Sequence, residues 1–173
     1  MARQLWLLRH AEAEPHGARQ DAQRRLTERG ASQARAAGRA IGRMGAEFEA
    51  IMFSPKVRAR QTAELACERW PAEQQQLLTV HAPLGGGFDG AQALDLLTGM
   101  GADGRLLLVG HEPDLSRVIG DLCGGRVDLK KGGLAIVRLE GASGELGVLM
   151  RPRELTLIAD GAGRPVGLPS GGE

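Results

Sequence analysis

Leu5-Trp6-Leu7-Leu8-Arg9-His10 is a run of four apolar residues that stops at a guanidinium and an imidazole. A short apolar run bounded by polar residues or glycine reads as a buried strand of a parallel sheet, and in open α/β sheets ligands bind just beyond the carboxyl ends of such strands. Far along the chain, Leu106-Leu107-Leu108-Val109 leads into Gly110-His111 in the same way. Two such strands in one sheet would turn both imidazoles toward one crevice.

Working outward, apolar runs alternate with helix-period stretches. Residues 4–8, 50–53, 78–80 and 106–109 read as strands, and 134–139 with 146–150 as a late pair around a turn at 141–144. Thr27 can cap a helix that carries Ala34, Ala37, Ile41 and Met44 on one stripe and Arg35, Arg39 and Arg43 on another face, ending at Gly45. Residues 57–70, stopped by Pro71, form a second helix; 92–98 and 114–122 form two more, the last opened by Pro113-Asp114. This alternation predicts an α/β fold, a mostly parallel central sheet with helices on both faces.

With 173 residues, 42% hydrophobic and 25% charged, the chain has the length for one domain with a sizeable core. That domain is assigned to residues 1–158. Residues 159–173, Gly- and Pro-rich from Gly161 onward, read as a mobile tail. Twenty-two Lys+Arg against 21 Asp+Glu leave a formal charge of +1, so composition supplies no bulk attraction to nucleic acid or membrane, and any anion site must be local. The opening Met1-Ala2-Arg3-Gln4 has no signal-peptide pattern and no apolar run approaches the roughly 20 residues of a membrane span, which predicts a soluble, cytoplasmic protein. Cys67 and Cys123 are too few and too far apart for a disulfide framework or a C-x-x-C metal site, and read as core or half-buried thiols. Oligomeric state is not encoded in any pattern of this kind.

The chemistry gathers at three strand ends. Arg9-His10-Ala11-Glu12 places an imidazole nucleophile beside a cation able to hold an anion still. In Ser54-Pro55-Lys56-Val57-Arg58-Ala59-Arg60-Gln61-Thr62, a strand turns into a helix whose first turn aims backbone N–H groups and basic side chains at the same edge. The third element is Gly110-His111-Glu112-Pro113. Together they describe a phosphate cage with a nucleophile in it. Ser54 reads as a turn or cap residue, Lys56 and Arg60 as a solvated helix face or general positive field rather than direct ligands, His16 and His81 as loop histidines, and Gly85-Gly86-Gly87 as a flexible rim turn suited to gating substrate.

These residues carry a resemblance. The strand-R-H-A element, the Arg25-Leu26-Thr27-Glu28-Arg29-Gly30 stretch, the Ser54–Thr62 segment, Gly110-His111-Glu112-Pro113 and Lys130-Lys131-Gly132-Gly133-Leu134-Ala135 resemble, in order and spacing, the histidine phosphatase superfamily. Within it the chain is similar to the small SixA-type phosphohistidine phosphatases, with their phosphoglycerate mutase-like three-layer fold. The resemblance implies that His10 is the nucleophile, that Arg9 and Arg58 bind the phosphoryl oxygens, and that His111 is the second histidine of the cage. Arg24, in competition with Arg25, and Glu112 are further substrate-side candidates.

No metal and no cofactor is implied. The surrounding arginines would keep His10 neutral and ready to attack. Larger members of the superfamily place a carboxylate acid after the third strand, where this chain has His81-Ala82-Pro83-Leu84-Gly85-Gly86-Gly87-Phe88-Asp89. Lacking that acid favours a labile P–N bond, hence phosphohistidine on a signalling or phosphotransfer protein, unless Glu112, Asp89 or Glu12 supplies the proton. Three alternatives stand beside this reading. One is a phosphatase for a small sugar or nucleotide phosphate ester, and another is a phosphate- or phosphoprotein-binding module without turnover. The third is a metallohydrolase using His10, His111 and Glu12 or Glu112.

Overall fold

In the computed structural model, which describes residues 2–161, a six-stranded sheet is ordered β3-β2-β4-β1-β5-β6. Its strands are β1 (Arg3–Arg9), β2 (Ala50–Phe53), β3 (Leu78–Val80), β4 (Arg105–Gly110), β5 (Leu134–Glu140) and β6 (Ser143–Met150). The first four are mutually parallel; β5 pairs antiparallel with β1, and β6 with β5. The helices are α1 (Glu28–Arg43), α2 (Val57–Cys67), α3 (Ala72–Gln75), α4 (Gly90–Thr98), α5 (Asp114–Cys123) and α6 (Pro152–Asp160).

Side-chain alternation builds the three layers. Trp6 and Leu8 of β1, with Leu107 and Val109 of β4, pack on one face against Ala37 and Ile41 of α1, Ala63 of α2 and Leu155 of α6. Leu5, Leu7, Leu106 and Leu108 point the other way, onto Ala93 and Leu97 of α4 and Leu115, Val118 and Ile119 of α5. Strands buried on both faces need to be apolar at every position, which is why the 5–8 and 106–109 runs show no polar alternation. The mostly parallel α/β sandwich read from the sequence is the fold found.

Several boundaries differ. Helix α2 ends at Cys67 rather than running to residue 70, and a separate short helix follows Pro71, whose ring is tolerated only at a helix start. Strand β6 begins at Ser143, earlier than residue 146, because Gly144 and Gly147 blunt its alternating pattern. Helix α6 was absent from the sequence reading. It carries Ala159 and Asp160 past the domain boundary drawn at residue 158, with Ala159 buried and Gly161 as its C-cap; residues 162–173 of the assigned tail lie outside the described residues. Among the described residues no helix is long and apolar enough to cross a membrane.

Candidate active site

Strands β1 and β4 are parallel neighbours with Arg9 opposite Gly110, so the residues that follow them emerge side by side. The His10 amide donates to Gly110 O at 3.0 Å. From the segment before β5, Gly132 N reaches back to the carbonyls of Arg9 and His10 at 3.1 and 3.0 Å. Gly132 has φ +73°, a backbone state that a side chain disfavours, and this turn brings Lys131 near His10. The two imidazoles end with ring centroids 5.1 Å apart, His10 being 5% exposed and His111 7%.

His10 Nδ1 lies 2.7 Å from Ala11 O. A carbonyl only accepts, so the neutral ring carries its proton on Nδ1 and keeps a lone pair on Nε2. Arg58 Nε approaches that Nε2 at 3.4 Å. Burial above all, with Arg58, Arg9 and Lys131 adding, holds the His10 pKa down to about 3 against the opposing Ala11 bond. The arginines act in the direction read from the sequence, but desolvation is the larger cause.

Arg58 sits in the first turn of α2 and is 4% exposed. Its NH1 donates to Asp21 O at 2.7 Å and its NH2 to Asp21 Oδ2 at 3.2 Å, so one residue holds its outer edge. Arg24, 5% exposed, gives Nε and NH2 to Asp21 Oδ1 at 3.1 and 2.8 Å and NH1 to Glu14 O at 2.7 Å. Arg25 is exposed, which separates two neighbours that the sequence leaves equivalent. Lys56, read as solvated or as part of a general positive field, reaches Asp21 Oδ2 at 3.0 Å and adds its charge to the field on His111. Hydrogen bonds from Arg24 first, then Lys56, with Arg58 close by, hold the Asp21 carboxyl well below the usual carboxylate range.

Asp21 is the principal residue the sequence reading missed. Only its pairing with Arg24 has a local signal, since a 3-10 turn (Asp21–Gln23) places it three positions before Arg24, a spacing that lets the two side chains meet.

Arg9 donates NH1 to Leu129 O at 2.8 Å, while its Nε is buried without a partner among the described residues. His111 Nδ1 is in the same state, and its Nε2 lies 2.6 Å from Ser54 Oγ. The nearby carboxylates are taken up elsewhere. Glu112 Oε1 accepts from Ser116 N, Glu12 accepts from Thr27 Oγ1 and pairs with Arg29, and Asp89 caps α4 by accepting from Gln92 N. Among the described residues no group of three or more His, Cys, Asp or Glu side chains is placed to hold a metal ion. His16 is exposed, and His81 lies edge-on to Phe88. Asp21 aside, the structure brings His10, Arg9, Arg58, Arg24 and His111 to one edge of the sheet, with Glu112 beside Arg9.

The family model of the histidine phosphatase superfamily (branch 1) matches residues 5–79. An uncharacterized protein of Picosynechococcus sp. is 32% identical over 143 residues, which is 78% of this chain and 84% of that protein. Among solved structures, the protein histidine phosphatase SixA complexed with tungstate superposes with a TM-score of 0.73 at 25% identity, over 88% of this chain and 99% of that one. A mutant phosphoserine phosphatase from Entamoeba histolytica, in complex with phosphoserine, gives 0.68 at 17% identity, covering 88% and 99%. The alpha-ribazole phosphatase of Shigella flexneri gives 0.62 at 20%, covering 86% and 96%. With its parallel sheet presenting paired histidines among arginines, and with these likenesses in sequence and fold, the chain belongs to the histidine phosphatase superfamily.

Proposed function

We propose that the protein is a metal-independent phosphatase that works through a phosphohistidine on His10, and that its substrate is phosphohistidine on a cytoplasmic signalling or phosphotransfer protein. The observation that carries the chemistry is the state of His10: its proton is committed to Ala11 O, and its Nε2 lone pair faces the Arg58 guanidinium. Nε2 attacks phosphorus in line, the new N–P bond forming as the P–N bond to the substrate imidazole breaks; that ring, protonated on its other nitrogen, leaves as a neutral imidazole. Water then attacks phosphorus and breaks the N–P bond, both of its protons leaving with the phosphate as dihydrogen phosphate, while His10 keeps its Nδ1 proton and regains the Nε2 lone pair. Arg9, Arg58 and Arg24, with His111, hold the three equatorial oxygens. Phosphoryl transfer is mostly positioning and charge stabilisation, and guanidinium forks that bond two oxygens at once suit it better than lysine.

The substrate follows from the acids. Asp89 is spent on a helix cap and Glu12 on Thr27 and Arg29, Asp21 is held ionised by cations, and Glu112 accepts the Ser116 amide with one of its two oxygens. An alkoxide leaving group would depend on Glu112 alone for a proton, whereas the imidazole of a phosphoramidate departs from a weaker bond. The likeness to SixA supports the same reading.

The test compares hydrolysis of a phosphohistidine-bearing protein with that of sugar and nucleotide phosphates, wild type beside His10→Ala and Arg58→Ala, with chelator present. Loss of phosphohistidine is expected to be fast, abolished in His10→Ala and slowed on the order of a hundredfold in Arg58→Ala. Preference for one small ester would move the function to metabolism, and phosphate binding without any turnover would make the protein a binding module. Alkaline quench is expected to trap a phosphorylated protein that acid quench destroys; label that survives acid would replace the histidine intermediate with another.

A further inference from the structure

Ser54, at the turn between β2 and α2, is fully buried, and a turn residue needs no such burial. Its Oγ accepts the Lys56 backbone N–H at 3.2 Å, the turn role read from the sequence, whereas the helix itself is capped at Lys56 with no side-chain bond, and it also lies 2.6 Å from His111 Nε2. A hydroxyl has a single hydrogen to donate. Were the His111 proton on Nε2, Oγ would receive two N–H groups and its own hydrogen would have no acceptor among its contacts, while the buried Nδ1 would present a bare lone pair. With the proton on Nδ1, every group in the series is used: the Lys56 amide donates to Ser54, and Ser54 donates to Nε2. The Nδ1–H is then the donor left over, and it is the His111 atom that is buried with no partner among the described residues. Leaving a buried polar group unpaired costs more than a typical hydrogen bond contributes, so such a donor awaits a ligand.

We propose that Ser54 is a positioning residue that fixes His111 in its Nδ1–H form, so that a neutral imidazole donates a hydrogen bond to an oxygen of the transferring phosphoryl group. This rests on the reading of the cage as a phosphoryl site. Burial first, then the adjacent His10 ring and the charges of Arg58 and Lys56, lower the His111 pKa to about 3 against the opposing Asp21 carboxylate, so the resting ring is neutral and its tautomer is the variable that matters. The helix that begins after Lys56 thereby connects its own start to the second histidine through one hydroxyl.

Nitrogen-15 correlation spectra of the histidine rings in the full chain at neutral pH test this directly, with the His111 signals assigned by their loss in His111→Gln. The wild type is expected to show a protonated Nδ1 and an unprotonated Nε2, and added inorganic phosphate to shift the Nδ1 proton. In Ser54→Ala the proton is expected to leave Nδ1 for a mixture of the two forms, with kcat/KM lower by about tenfold, whereas Ser54→Thr, which keeps the hydroxyl, retains the wild-type spectrum. A wild-type proton on Nε2, or an unchanged tautomer in folded Ser54→Ala, overturns the proposal whatever the substrate is. Full turnover in His10→Ala with the expected tautomer present would instead remove the phosphatase reading and leave the Ser54 assignment standing.

Discussion

Asp21 sets the charge of the cage. One carboxylate faces Arg24, Lys56 and Arg58, and its backbone oxygen takes a further bond from Arg58, so the guanidinium that approaches His10 is held from behind. Asp21→Asn keeps the shape but removes the charge and half of the acceptor capacity. It is expected to lower kcat/KM by roughly ten- to a hundredfold through a looser Arg58, while inorganic phosphate, meeting one more net positive charge, inhibits at lower concentration. Steady-state kinetics with phosphate as product inhibitor reads both effects; weaker phosphate inhibition would assign Asp21 to binding rather than to positioning. At this scale, the residues legible in the sequence were those next to strand ends, His10, Arg9, His111 and, one turn into a helix, Arg58. Asp21 and Ser54 were not, because their roles depend on partners 37 and 57 residues away, a proximity that no local pattern encodes.

The cage also depends on how closely α1 and α2 approach, since α2 carries Arg58 and α1 packs against its flank. A Cβ on Gly38 would collide with the backbone of Ala66 in α2, so the glycine is where the two helices touch. In a helix interior Gly→Ala ordinarily stabilises by about 1 kcal/mol. Gly38→Ala is expected to reverse that sign and destabilise by roughly 1–3 kcal/mol, because backbone cannot rotate away as a side chain can. Gly42→Ala, one turn on, would meet only the Trp70 indole, at 3.7 Å or more, and is expected to be neutral or stabilising. Urea denaturation of the two variants decides it; equal effects would mean that the helices simply slide apart. The α1 stripe and its Thr27 cap, which accepts from Gly30 N at 3.0 Å, were readable because period and cap agree. Helix α6 was not, since Pro152-Arg153-Glu154-Leu155-Thr156-Leu157-Ile158-Ala159-Asp160 adjoins a Gly- and Pro-rich stretch and its apolar residues make sense only once Leu155 and Ala159 are seen against the core.

For the whole molecule, putting two neutral histidines into one buried edge makes folding itself sensitive to acid. Both rings titrate near pH 6.5 in the unfolded chain and near 3 in the folded one. Between those values the unfolded state binds more protons, so stability is complete above about pH 6.5 and declines as the pH falls toward 3. Asp21 adds a loss of the same sign lower down, because its carboxyl titrates below its ordinary value only while folded. Acid destabilisation is therefore expected to begin near pH 6, ahead of the carboxylate range, measured as the free energy of urea unfolding at successive pH values. His10→Gln removes one of the two titrating rings without adding a charge, and is expected to flatten the slope between pH 6 and 4 whatever it does to stability at neutral pH. An unchanged slope would mean that His10 takes up its proton in the folded state as readily as in the unfolded one, and would remove the neutral, buried nucleophile on which the proposed chemistry rests.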